Sequence, residues 1–235
     1  MHTNFDFLLK DPQFEPFAEA AIEAELVLPI SPALCANACR RALEFAVKWM
    51  YSVDSSLTKP YAEKLATIIS TEDFKDLIPF GMLAKLDYLR RIGNNATHNP
   101  KGVSRDQAVL ALQNLHSFLD FVAYCYGADY SEIPFDMSLL VQKPGSEAVL
   151  VTPLPAAELD LQILLDENLP KRAKLTAKRV AQLKRGYTVK PMDMTEAQTR
   201  KAYIDVMLMD AGWQRGANWV DEYPIGQMPN KAGKG

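Results

Sequence analysis

Apolar residues recur at three- and four-residue steps through most of the first 127 positions, the spacing of helices that bury one face. Ser31 followed by Pro32 reads as an N-cap with proline at the first helical position. From there Leu34, Ala38, Ala42, Phe45, Trp49 and Val53 predict a helix of about twenty residues. "PYAEKLATIIS" and "EDFKDLIPF" predict shorter pieces. Phe80 to His98 predicts a second long helix, with Met82, Leu86, Leu89, Gly93 and Ala96 on one side. Ser104 with Gln107 forms the sequence of a capping box. It opens a stripe of Ala108, Leu112, Leu115, Leu119, Val122 and Tyr126 that Gly127 stops. The fold class expected is mainly α, with a helical bundle over residues 1–127.

The pattern changes beyond that point. Residues 128–190 read as a connector, rich in proline at first and without a sustained period, with a short helix around Ala157 to Leu165. Within it "KRAKLTAKRVAQLKR" carries seven basic residues and no acidic one. On a helix, Lys171, Lys174, Lys178 and Arg185 share one face, with Leu175, Val180 and Leu183 roughly opposite. Residues 191–235 open on a second capping box, Thr195 with Gln198. An apolar stripe of Ala197, Ile204, Leu208 and Ala211 follows, with a stop at Gly212. "NWVDEYPI" has the character of a strand.

Composition narrows the class. The hydrophobic share is 48%, the charged share 23% and the net charge -3, so contact with nucleic acid must come from a local patch. No apolar run is long enough to span a bilayer, and the first residues lack a signal-peptide pattern, so a cytoplasmic protein without a membrane contact is expected. Three cysteines are too few for a disulfide framework. Cys35 and Cys39 lie one turn apart in an apolar stripe and read as core thiols. His2, His98 and His116 offer no zinc-type spacing, so no metal site is expected in this chain.

Two segments could carry chemistry. In "YLRRIGNNATHNPKG", Arg91 and His98 stand two turns apart on one helical face, flanked by Asn94 and Asn95. Arginine can grip a phosphate with a fork of donors, and histidine can transfer a proton near neutral pH. The same residues could instead tie the helix end to its loop or form a docking surface. His116, beside the stripe of its helix, reads as structural. In the basic run, Lys171, Arg172, Lys174, Lys178, Arg179, Lys184 and Arg185 are candidate contacts to DNA phosphates. A bland surface helix is the other reading.

The bundle with "LRRIGNNATH" resembles the HEPN clan of helical domains. Many members of that clan are ribonucleases using an arginine and a histidine a few residues apart, which would here be Arg91 and His98. Ile92 departs from the polar residue that usually follows the arginine. "TEAQTRKAYIDVMLMDAGW" followed by "VDEYPI" resembles the opening of the nuclease domain of type I restriction enzyme R subunits. That resemblance implies a nuclease-domain helix glutamate at Glu196, the first helix and a strand of an α/β domain over 191–235, and Mg and ATP in the parent protein. Implied partners are double-stranded DNA, the modification and specificity subunits, and the remainder of the R subunit. The metal-binding Asp and Glu-x-Lys of such nucleases do not occur in strand context here, and no glycine-rich phosphate loop is present. The chain is therefore expected to be a docking or DNA-binding part without its own site for cleaving DNA. An RNA-cleaving domain and a pure protein–protein scaffold are the alternatives.

Overall fold

The structure is a computed structural model that describes residues 2–99, 102–140, 160–189 and 199–213. Among these residues every regular element is helical, as the apolar spacing predicts. The elements are α1 (Glu15–Leu26), α2 (Pro32–Val53), α3 (Leu65–Ile68), α4 (Glu72–Leu77), α5 (Met82–His98), α6 (Arg105–Tyr126), α7 (Leu161–Asn168), α8 (Arg172–Leu183) and α9 (Asp205–Asp210). The strand expected in "NWVDEYPI" falls outside the described residues. Among the described residues no helix is long and apolar enough to cross a membrane.

Helix α2 is the centre. Helices α1, α5 and α6 pack against it. Its start is capped as expected, the Ser31 hydroxyl accepting from the Leu34 N–H at 3.3 Å. Because five helices, α1, α5, α6, α7 and α8, pack on it, α2 buries a wide arc rather than one stripe, and Cys35, Cys39, Ala42, Ala46 and Trp49 all lie inside. Leu34, placed on the apolar face by spacing alone, remains 50% exposed in the first turn. Trp49 stands edge-on to Phe14, Phe17 and Tyr126, so three elements meet on one indole. The three cysteines are buried free thiols.

Helix α6 starts on the expected capping box, with both the Ser104 and Gln107 bonds made. Gly127 ends it for a different reason from the one the sequence suggests. Its φ is -61°, not left-handed. A Cβ there would stand 2.5 Å from the Ala123 carbonyl oxygen, so space and not backbone freedom selects glycine.

The chain after α6 folds back on the bundle. The Asn4 amide donates to the Asp136 carbonyl at 3.2 Å and accepts from its N–H at 2.6 Å. Helix α7 begins at Asp160, whose carboxylate caps the Gln162 and Ile163 N–H groups. It therefore runs Leu161–Asn168 rather than from Ala157, and 157–159 lie outside the described residues. Helices α7 and α8 pack on α2, and α8 also on α6.

What draws α8 in is Asp54, fully buried at the end of α2. Its carboxylate accepts from the Tyr126 hydroxyl at 2.7 Å, from the Ser56 N–H and hydroxyl at 3.0 and 2.7 Å, and pairs with the Arg179 guanidinium. Burial pushes this carboxyl up, but the bonds from Ser56 and Tyr126 and the Arg179 charge outweigh it and hold Asp54 below its ordinary range.

His116 sits on the buried side of α6 among the rings of Phe5, Phe7 and Phe135. Burial holds its pKa down at about 4. The unfolded chain, with an ordinary imidazole near 6.5, takes up a proton first as pH falls. Stability due to the neutral ring is therefore full above about pH 6.5 and lost as pH drops through about 4. The cost at the acid end is on the order of 3 kcal/mol. Urea unfolding of the wild type and His116→Phe at a series of pH values should show this loss only in the wild type. Parallel curves would contradict it.

Candidate functional site: the polar face of α5

Helix α5 turns an apolar side to the bundle and a polar side outward, and Gly93 lets it sit close to α2. A Cβ at Gly93 would lie 2.5 Å from the Arg40 Cβ and 2.6 Å from its Cδ. The stem of Arg40 thus lies across the glycine of "RRIGNNATH". One turn on, the Asn37 amide of α2 donates to the Thr97 hydroxyl at 3.3 Å. The Thr97 hydroxyl in turn donates to the Gly93 carbonyl at 3.1 Å. The glycine expected on the apolar side is there because of a helix–helix approach.

The outward face carries the two residues singled out by spacing. His98 is the last residue of α5 and is exposed, and the Asn99 N–H closes the helix on the Asn95 carbonyl at 2.7 Å. Asn94 and Asn95 are half-buried, and the Asn95 Nδ2 is buried without a hydrogen-bond partner among the described residues. Arg91 is engaged at both ends of its guanidinium. Its Nε donates to Asp87 at 2.6 Å and its Nη1 to Asp210 of α9. Bonding to Asp87 is the larger influence holding the Arg91 charge in place. Asp87 also accepts from Arg90 at 2.8 Å. Partial burial pushes Asp87 up, but the bonds from Arg91 and Arg90 prevail and keep it below its usual range. Arg91 and His98 therefore share a face, with the arginine held by carboxylates. Asp87, Arg40 and Asp210 were not singled out in the sequence, although an acid four residues before an arginine is a visible pairing signal.

The segment that supplies Asp210 begins with a π-helical turn over Arg200–Ile204. That turn has more residues than an α turn and rotates every later side chain. Of the stripe expected from Ile204, Leu208 and Ala211, Ile204 and Ala211 are exposed and Leu208 is half-buried. The packed residues are Tyr203, whose ring lies 5.2 Å from that of Tyr88, and the fully buried Val206. The stop at Gly212 holds, with φ of 87°. Ala197 and the Thr195–Gln198 capping box fall outside the described residues, as does Glu196.

The basic run divides. Arg179 is buried on Asp54, and Arg172 donates to the Asp54 carbonyl at 3.4 Å, so these two face the bundle. Lys171, Lys174, Lys184 and Arg185 are exposed and Lys178 is half-buried. None of these five pairs with an acid among the described residues. Lys184 and Arg185 lie past the end of α8. Val180, expected opposite the lysines, is 39% exposed because α8 buries only a narrow row around Leu175 and Arg179. The Tyr124 hydroxyl clamps the helix end, bridging the Gln182 and Gly186 carbonyls at 2.7 and 3.0 Å. Among the described residues no three His, Cys, Asp or Glu side chains are grouped to hold a metal ion.

Among the described residues these features define a helical module in which α2 and α5 approach closely at a glycine and the last described helix seats on α5. By its sequence the chain belongs to the family described as Domain of unknown function (DUF4145), whose model matches residues 22–143, just over half of the chain. The match starts inside α1 and takes in α2 through α6; α7, α8 and α9 lie beyond it. No curated protein and no solved structure matches the chain.

The close approach at Gly93 can be tested against helix propensity. On an open helix, Gly→Ala stabilises by about 1 kcal/mol. At this position overpacking against the Arg40 stem should dominate, and Gly93→Ala should lose roughly 1–3 kcal/mol in urea unfolding. A more stable variant would show that α2 and α5 are farther apart.

Proposed function

We propose that this chain is the N-terminal part of the R subunit of a type I restriction enzyme, acting as a docking module that joins the following nuclease domain and offers a basic rim to duplex DNA. The observation that carries the reading is the seating of 199–213 on α5 through Tyr203, Val206 and Asp210, with Asp210 paired to Arg91. That segment is the one whose sequence resembles the first helix of the nuclease domain. A second support is the set of five cations along and after α8 that no described acid neutralises. Such cations release counterions when they meet phosphates, which gives affinity without base recognition. In this reading the modification and specificity subunits are partners. ATP-driven translocation and Mg-dependent cleavage belong to other parts of the subunit, and Glu196 is the nuclease-helix glutamate. Such a protein works in the cytoplasm.

An RNA-cleaving site on Arg91 and His98 is the second reading, favoured by the exposed position of His98 at a helix end. It requires Arg91 to leave Asp87 and Asp210, because a guanidinium held by two carboxylates has little charge left for a phosphate. RNA cleavage that vanishes in both Arg91→Ala and His98→Ala would select it. A scaffold contacting protein alone is the third.

Titration of duplex DNA at low and moderate salt separates the first reading from the third. The double variant Lys174→Glu, Lys178→Glu should weaken binding by roughly tenfold or more and flatten the salt dependence by about two counterions. Asp210→Lys should expose 199–213 to protease and leave DNA affinity in place. DNA binding indifferent to the two lysines would remove the basic rim from the account.

A further inference from the structure

A cleft of about 630 Å³ opens between α6 and the chain that follows it, with Lys85 of α5 in its lining. Its size is that of a small-molecule site. Lys85, His116, Asp120, Tyr130, Phe135 and Tyr187 line it. We propose that this cleft binds a small aromatic monocarboxylate bearing a hydroxyl or amino group, with Lys85 taking its charge and the surrounding rings taking its flat body. The proposal does not depend on the restriction-enzyme reading.

Lys85 is the first argument. It stands in the buried phase of α5, between Met82 and Leu86, and is only 8% exposed. It forms no ion pair and no hydrogen bond with any described residue. A buried ammonium without a partner is costly, and burial accordingly pulls the Lys85 pKa down. An anion in the cleft would satisfy it.

The walls are the second. Tyr124 stands edge-on to Tyr130, ring centres 5.0 Å apart, and lies 5.0 Å from the ring of Tyr187. Phe135 stands edge-on to His116 at 5.4 Å. Rings set at such angles present both edges and faces to a flat guest. Two of them, Tyr187 and Tyr130, are held in place by Asp120, 8% exposed, which accepts from the Tyr187 hydroxyl at 2.5 Å and the Tyr130 hydroxyl at 3.1 Å.

Charge sets the class. One lysine faces two acids, Asp120 and Glu132, while His116 is neutral near pH 7. That balance is net negative, so an anion is accommodated only where it sets a single carboxylate directly on the unpaired Lys85, and a dianion or a polyphosphate is repelled. A carboxylate such as Asp120 also favours a guest that donates a hydrogen bond, hence the hydroxyl or amino group.

The test is calorimetric titration of the full chain with 4-hydroxybenzoate. Saturable one-to-one binding is expected, with 4-methylphenol, which lacks the charge, and cyclohexanecarboxylate, which lacks the aromatic ring, each at least tenfold weaker. Lys85→Met should weaken 4-hydroxybenzoate at least tenfold without lowering the thermal midpoint. Loss of fold in that variant would shift the decision to Ser117→Phe. This residue is half-buried on α6, and the larger side chain fills the cleft and should abolish binding. The proposal is overturned if no probe saturates by roughly 1 mM, which would mark a water-filled cleft only. It is equally overturned if binding survives Ser117→Phe, or survives Lys85→Met at full strength.

Discussion

A carboxylate with no access to water cannot be tolerated unless its charge and lone pairs are met, and Asp54 is such a group. Its position at the end of α2 makes the requirement architectural. Tyr126 reaches it from the end of α6, Ser56 from the following loop, and Arg179 from α8. The Thr176 hydroxyl adds a contact at 3.3 Å, and the Ser55 N–H donates to that hydroxyl at 3.0 Å. Three helices and a loop are therefore committed to one buried charge. The family match ends at 143, yet a residue well past it completes the ion pair. Helix α8 is part of the bundle, and only its outer side remains for another role.

The second constraint is steric. At Gly93 the stem of Arg40 replaces what would be a side chain, so α2 and α5 come closer than ordinary side chains permit. The polar end of α5 is then fixed relative to α2 by Asn37 and Thr97. On the outer side of the same helix, Asp87 and Asp210 hold Arg91. A motif that reads as a cation beside an imidazole is, in the folded chain, largely a set of helix–helix contacts. His98 is its freest member. This is why the docking reading is preferred to the enzymatic one.

Local rules in the sequence were enough for the starts of α2 and α6, since a capping side chain and its target lie three residues apart. The long apolar stripes located α2, α5 and α6. What spacing could not reach depends on distant partners. Arg172 and Arg179 look like any other members of a basic run, and only Asp54, more than a hundred positions away, turns them inward. The exposure of Ile204 and Ala211, and the π-helical turn over Arg200–Ile204, are signalled by no apolar period. Lys85 and Asp120 were legible in principle as charges standing in apolar phase. Their meaning, a lined cleft, depends on Tyr130 and Tyr187 arriving from irregular segments.

The central claim is that Asp54 and Arg179 tolerate burial only as a pair, and a double-mutant cycle measured by urea unfolding addresses it most directly. Arg179→Met alone should cost about 3–5 kcal/mol, because it leaves a buried carboxylate uncompensated. Combining it with Asp54→Asn should recover a large part of that loss. If Arg179→Met costs less than about 0.5 kcal/mol and the two changes simply add, α8 is a surface appendage and the account is wrong.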